Sequence, residues 1–88
     1  MPLYVRTLLV TGPPDEVQGQ QDGHLRHLRL LKQEGRLRAA GALERGDGYL
    51  EIFEAADRME AESIARSSPL IEQGLGTWML REWQELDL

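Results

Sequence analysis

The 88-residue sequence predicts an α+β domain with the element order β-α-β-β-α-β. Three observations carry that expectation: a strand-like opening, "PLYVRTLLV", that stops at two prolines; a hairpin signal, "RGDG", between two short extended runs; and two stretches of helical spacing on either side of that hairpin. At this length one domain is expected, 1–88, with a core small enough that self-association would add to its stability.

The elements follow in order. "PLYVRTLLV" is rich in β-branched and aromatic residues and ends where Pro13 and Pro14 remove backbone donors. "TGPPDEVQGQQ" then reads as a long polar loop, a candidate lid over a pocket or an inert connection. From Asp22, expected as N-cap, to Glu34 the spacing is helical. His24, Leu25, Leu28 and Leu31 share a face, His27 lies on its flank, and Gly35 supplies the stop. "RLRAAGALERG" alternates Leu37, Ala39, Gly41 and Leu43 on one side, and after the Asp47-Gly48 turn "YLEIFEA" returns as its antiparallel partner. Residues 57–67 form a second helix, with Asp57 as cap, Glu60 at capping-box spacing, and Met59, Ile64 and the alanines as its apolar stripe. Ser68 and Pro69 open one more helical turn, and "TWMLREWQELDL" supplies a fourth strand.

This order is the split pattern of ferredoxin-like domains, a four-stranded antiparallel sheet with both helices on one face. The other face then has no cover within the chain, so a homodimer packed through that open sheet face is expected. Trp78 and Trp83 are assigned to sheet and interface packing.

Charge and composition narrow the function classes. The net charge of −5 hides an asymmetry, because Arg26, Arg29, Lys32, Arg36 and Arg38 fall within thirteen residues while the second half of the chain is acidic. One Phe, two Tyr and two Trp on an acidic chain argue against nucleic acid. No apolar run approaches a membrane span, no signal-peptide pattern opens the chain, and there is no cysteine, so a cytoplasmic protein is expected, without disulfides and away from membranes. No Gly-rich phosphate loop or nucleophile elbow is present, and no cofactor is expected.

The two histidines carry the remaining chemistry. His24 and His27 stand three apart on a helix with Asp22 nearby, yet no further His or Cys completes a metal set, and no metal is expected. His24, inside the apolar stripe, is a general base or acid, or a passive core imidazole needing one hydrogen bond, for which Ser68 would serve. His27 is expected in solvent at the helix flank.

The run His24-Leu25, Leu28, Leu31, Glu34-Gly35-Arg36-Leu37 and Ala40-Gly41 resembles the signature of the YciI-like (YCII-related) family of dimeric α+β barrel proteins, and "YLEIFEAADRMEAESIARSSPLIEQGL" is similar to that family's strand, helix and "DP" segment. The resemblance implies a pocket in which a His and an Asp meet. His24 matches the His, and Ser68, before Pro69, stands where the Asp would be. A hydroxyl can bond the ring but brings no charge, so two functions stay open. One is His-dependent proton transfer or elimination, without cofactor, on a small, anionic organic substrate. The other is a non-catalytic dimeric binding or interaction module that has lost the dyad. The candidate pocket is lined by His24, Ser68, Pro69 and Tyr4 of the first strand, with Arg38 or Arg36 drawing anions to its mouth.

Overall fold

In the computed structural model, which describes residues 1–88, the chain starts with strand β1 (Leu3–Val10), whose residues alternate between two environments. Tyr4, Arg6 and Leu8 are buried beneath helices, while Val5, Thr7 and Leu9 look the other way.

Helix α1 (Pro14–Gln33) begins nine residues earlier than the sequence suggested. Pro13 is extended and Pro14 sits at the first helical position, where its missing N–H costs nothing. Asp15 and Glu16 in the first turn complement the helix dipole, and Val17 extends the apolar stripe of His24, Leu28 and Leu31 by two turns. The stretch expected as a lid loop is therefore the first part of α1, and Asp22 lies inside the helix instead of capping it. Proline opens the helix here because the first-turn N–H groups have no partner within the helix, so nothing is lost by its missing donor.

Strand β2 (Leu37–Ala42) and strand β3 (Gly48–Glu54) form the expected hairpin. A bulge between Leu37 and Ala39 shifts the register: Leu37 opposes Phe53 and Ala39 opposes Ile52. Leu37 and Ala39 thus face opposite sides of the sheet, contrary to plain alternation. The turn also differs in detail. Gly46 takes the positive φ of 69°, and Gly48 is already strand. Gly48 is small for another reason: a Cβ there would stand 2.5 Å from the Leu8 carbonyl oxygen.

Helix α2 (Arg58–Arg66) starts as expected, with Asp57 Oδ1 accepting from the Glu60 N–H at 2.9 Å. Its buried face consists of Ala61 and Ala65, whereas Met59 is exposed. Ser68 caps the short helix α3 (Pro69–Glu72), and β4 (Gly76–Trp83) closes the sheet.

The sheet is fully antiparallel in the order β2-β3-β1-β4, the ferredoxin-like arrangement. Beneath the helices the core divides in two. Tyr4, Phe53, Ala55, Ala61, Ala65 and Leu80 form one apolar cluster, and Leu8, Val17, Leu70 and Leu75 the other. Arg6 lies between Tyr4 and Leu8 on β1, so a polar layer separates the two clusters. On the opposite face Leu9, Leu50 and Met79 are 47%, 37% and 56% exposed. No helix is long and apolar enough to cross a membrane.

Candidate functional site

The polar layer is built from four elements and has no exposed surface. Arg6 of β1 and Glu51 of β3 are direct cross-strand partners, His24 comes from α1, and Ser68 is the cap of α3; all four are 0% exposed. Arg6 Nε donates to Glu51 Oε1 at 2.8 Å, and Glu51 Oε2 lies 3.1 Å from His24 Nε2. His24 Nδ1 lies 2.7 Å from Ser68 Oγ, which also accepts the Leu70 N–H at 3.3 Å. Arg6 Nη1 donates to the Ala65 carbonyl at 2.8 Å and faces His27 Nε2 at 3.4 Å. Arg6 Nη2 is the one buried side-chain nitrogen or oxygen without a partner.

These contacts set the proton positions. Burial opposes ionisation of Glu51, but the His24 N–H, the charge of Arg6 and its hydrogen bond outweigh burial and hold the carboxyl below its ordinary range. An ionised Glu51 only accepts, so His24 carries its proton on Nε2. In the neutral ring Nδ1 then accepts a hydrogen bond from the Ser68 hydroxyl. Ser68 Oγ–H, His24 and Glu51 form one directed chain, anchored by Arg6.

His27 is half-buried beside this layer and not free in solvent as expected. Burial, then the charge of Arg6 and the neighbouring His24, push its pKa down to about 4, against a smaller pull from Glu51. Its Nε2 faces the Arg6 donor, so its proton belongs on Nδ1. No three His, Asp or Glu side chains converge as a metal set.

The structure brings His24 and Ser68 together and leaves the other named residues apart. Pro69 is half-buried against Gly23 of α1, where a glycine Cβ would stand 2.8 Å from the proline Cγ. Tyr4 packs in the neighbouring apolar cluster against Phe53, ring centroids 6.4 Å apart, because Arg6 fills the next inward position of β1. Arg38 sits at the bulge, is half-exposed and pairs with Glu85 at 3.4 Å. Arg36 binds Glu60 at 2.7 Å and is also used by the fold.

Sequence reasoning missed Arg6, Glu51 and Tyr49. Tyr49 of β3 tilts over the imidazole, centroids 4.5 Å apart, and also lines a cavity of about 160 Å³ with Leu25, Leu28, Ala40, Gly41 and Ala42. The signal was present: "LYVRTLLV" and "YLEIFEA" each place one charge on the inward phase of a strand.

Among solved structures the chain is similar to the 5-chloro-2-hydroxyhydroquinone dehydrochlorinase TftG from Burkholderia phenoliruptrix AC1100, determined in complex with 2,5-dihydroxybenzoquinone. Identity is 22%, the alignment covers 91% of this chain and 93% of that one, and the TM-score is 0.65, a likeness of fold. No curated protein matches the chain. The sequence profile of the YCII-related domain matches residues 5–84, which is nearly the whole fold and all of the polar layer. The chain therefore belongs to the YCII-related family.

Proposed function

We propose that this YCII-related protein holds a small organic molecule beside α1 and performs cofactor-free acid–base chemistry on it, with His24 as the group that takes up and returns the proton. The observation that carries this reading is the Ser68–His24–Glu51 chain: a buried carboxylate on Nε2 orients the ring and stabilises imidazolium, leaving Nδ1 as the basic atom. Glu51 thus supplies the charge that Ser68, in place of an Asp, does not. In this mechanism the substrate's proton goes to Ser68 Oγ while the serine proton moves to His24 Nδ1, so a single hydroxyl connects the buried ring to the ligand. Displacement of the Tyr49 ring uncovers the imidazole. The dehydrochlorinase activity named for TftG, loss of a proton and a chloride, belongs to the same reaction class.

A second reading, a non-catalytic binding or interaction module, is favoured by the complete burial of Arg6, His24, Glu51 and Ser68. Halide release from 5-chloro-2-hydroxyhydroquinone and related halogenated hydroxyarenes separates the two. The acid–base reading expects turnover that falls by about 10²-fold or more in His24→Gln, with a cooperative melt retained. Absence of wild-type turnover across the panel, or full turnover in the variant, rejects it.

The same reading includes a homodimer through the open sheet face, supported by exposed Leu9, Leu50 and Met79 beside half-buried Val5, Ile52 and Trp83. Sedimentation of a species twice the 10.0 kDa chain mass is expected at micromolar concentration, and a stable monomer rejects it.

A further inference from the structure

A larger cleft, about 440 Å³, lies between the N-terminal half of α1 and the turn joining β2 to β3. Val10 and Val17 line its apolar side, and Gln18, Gln21, Arg45 and Asp47 supply polar groups. Gln18 and Gln21 are three apart and so share one side of α1.

The fold uses none of these four side chains. Arg45, like Arg26, Arg29 and Arg81, forms no ion pair, and neither carboxamide nor the Asp47 carboxylate is hydrogen-bonded within the chain. The turn that carries Arg45 is nevertheless fixed. Leu43 N–H donates to the Gly48 carbonyl at 2.9 Å, Gly46 N–H to Leu43 at 2.9 Å, and Val10 N–H ties the turn to β1 through the Asp47 carbonyl at 2.8 Å. One apolar cluster lies between the cleft and the polar layer. Val10 and Tyr49 pack on the Leu8 and Val17 cluster, and Tyr49 is the ring that covers His24.

We infer that this cleft binds a small organic monoanion that also carries a hydroxyl group. Arg45 takes the carboxylate or other oxyanion in a charge-assisted pair, Asp47 accepts the ligand's hydroxyl proton, and Gln18 and Gln21 serve either end. Asp47 lines the cleft together with Arg45 and opposes a second negative charge on the ligand. This inference deepens the small-molecule reading by naming the ligand class, and it rests on that reading only for the site's purpose.

The test uses 4-hydroxybenzoate as probe, with benzoate and phenol as matched comparators, followed by amide NMR titration and calorimetry on the whole chain. Binding of 4-hydroxybenzoate is expected to shift the amides of Gln18, Gln21, Arg45 and Gly46, and to be about ten-fold tighter than that of either comparator. Arg45→Gln is expected to weaken it about ten-fold or more, with Arg45→Lys recovering part. Absence of shifts in this cluster, or unchanged affinity in Arg45→Gln, overturns the inference. The two proposals fail separately: binding here without halide release from any halogenated hydroxyarene leaves this site standing and removes the acid–base reading. Turnover together with unchanged 4-hydroxybenzoate affinity in Arg45→Gln does the reverse.

Discussion

Replacing Glu51 by glutamine tests the polar layer most directly, because it changes charge with almost no change of shape. Glu51 receives the Arg6 Nε–H at 2.8 Å and the His24 Nε2–H at 3.1 Å, with all three residues cut off from water. A carboxamide has one oxygen for these two donors, so its NH2 must face the other. Arg6 is then left as a buried cation without a counter-charge. Breaking one partner of a buried pair costs about 3–5 kcal/mol, against a total of about 4–13 kcal/mol for a domain of this length. With a urea m-value of about 1–2 kcal/mol/M, the denaturation midpoint of Glu51→Gln should fall by about 1.5 M or more. The double variant Arg6→Met/Glu51→Leu removes both charges and should be less destabilised than the sum of its singles by about 2 kcal/mol or more. A Glu51→Gln variant that loses less than about 1 kcal/mol, or a cycle without coupling, would refute the buried ionic pairing.

Three further expectations follow from the same geometry. Between pH 6.5 and about 4 the unfolded chain binds the His27 proton that the folded chain refuses, so stability should fall as pH drops through that window. The full offset corresponds to about 3 kcal/mol, reduced by the ring's partial solvent contact to about 1–2 kcal/mol. His27→Gln should flatten the profile there. Glu51 acts in the same direction at lower pH, because its contribution is present above the unfolded carboxyl range and is lost as pH falls through its lowered folded value. Melting curves of Gly19→Ala and Gly23→Ala should move in opposite directions. An added Cβ at Gly19 meets nothing within 4 Å and gains about 0.5–1 kcal/mol, whereas at Gly23 it stands 2.8 Å from Pro69 Cγ and costs about 1–3 kcal/mol. Nitrogen-15 NMR should find opposite tautomers in the two histidines, Nε2–H in His24 and Nδ1–H in His27. The reverse pattern would remove the directed Ser68–His24–Glu51 chain.

Much of the architecture was legible because it rests on local chemistry. The Asp57 cap, the Ser68-Pro69 helix start and the alternation in β1 are each decided within a few residues. The start of α1 is ambiguous in the sequence because Pro13-Pro14 can equally end a strand or begin a helix. The choice went to helix once Val17 could pack with Leu8 and Leu70. The bulge at Arg38 was also invisible, since register depends on the partner strand.

For the candidate site, sequence by itself determined that His24 lies on the buried stripe of a helix and that a hydroxyl, not a carboxylate, precedes Pro69. It also held the two inward-phase charges, Arg6 and Glu51, but not their meaning. Only the antiparallel pairing of β1 with β3 makes them direct partners, and only the packing of α1 over that pair brings His24 between Glu51 and Ser68, residues 27 and 44 positions away. A charge buried alone is prohibitively costly, so its role is set by the atoms that the tertiary fold places against it and not by its neighbours in the chain.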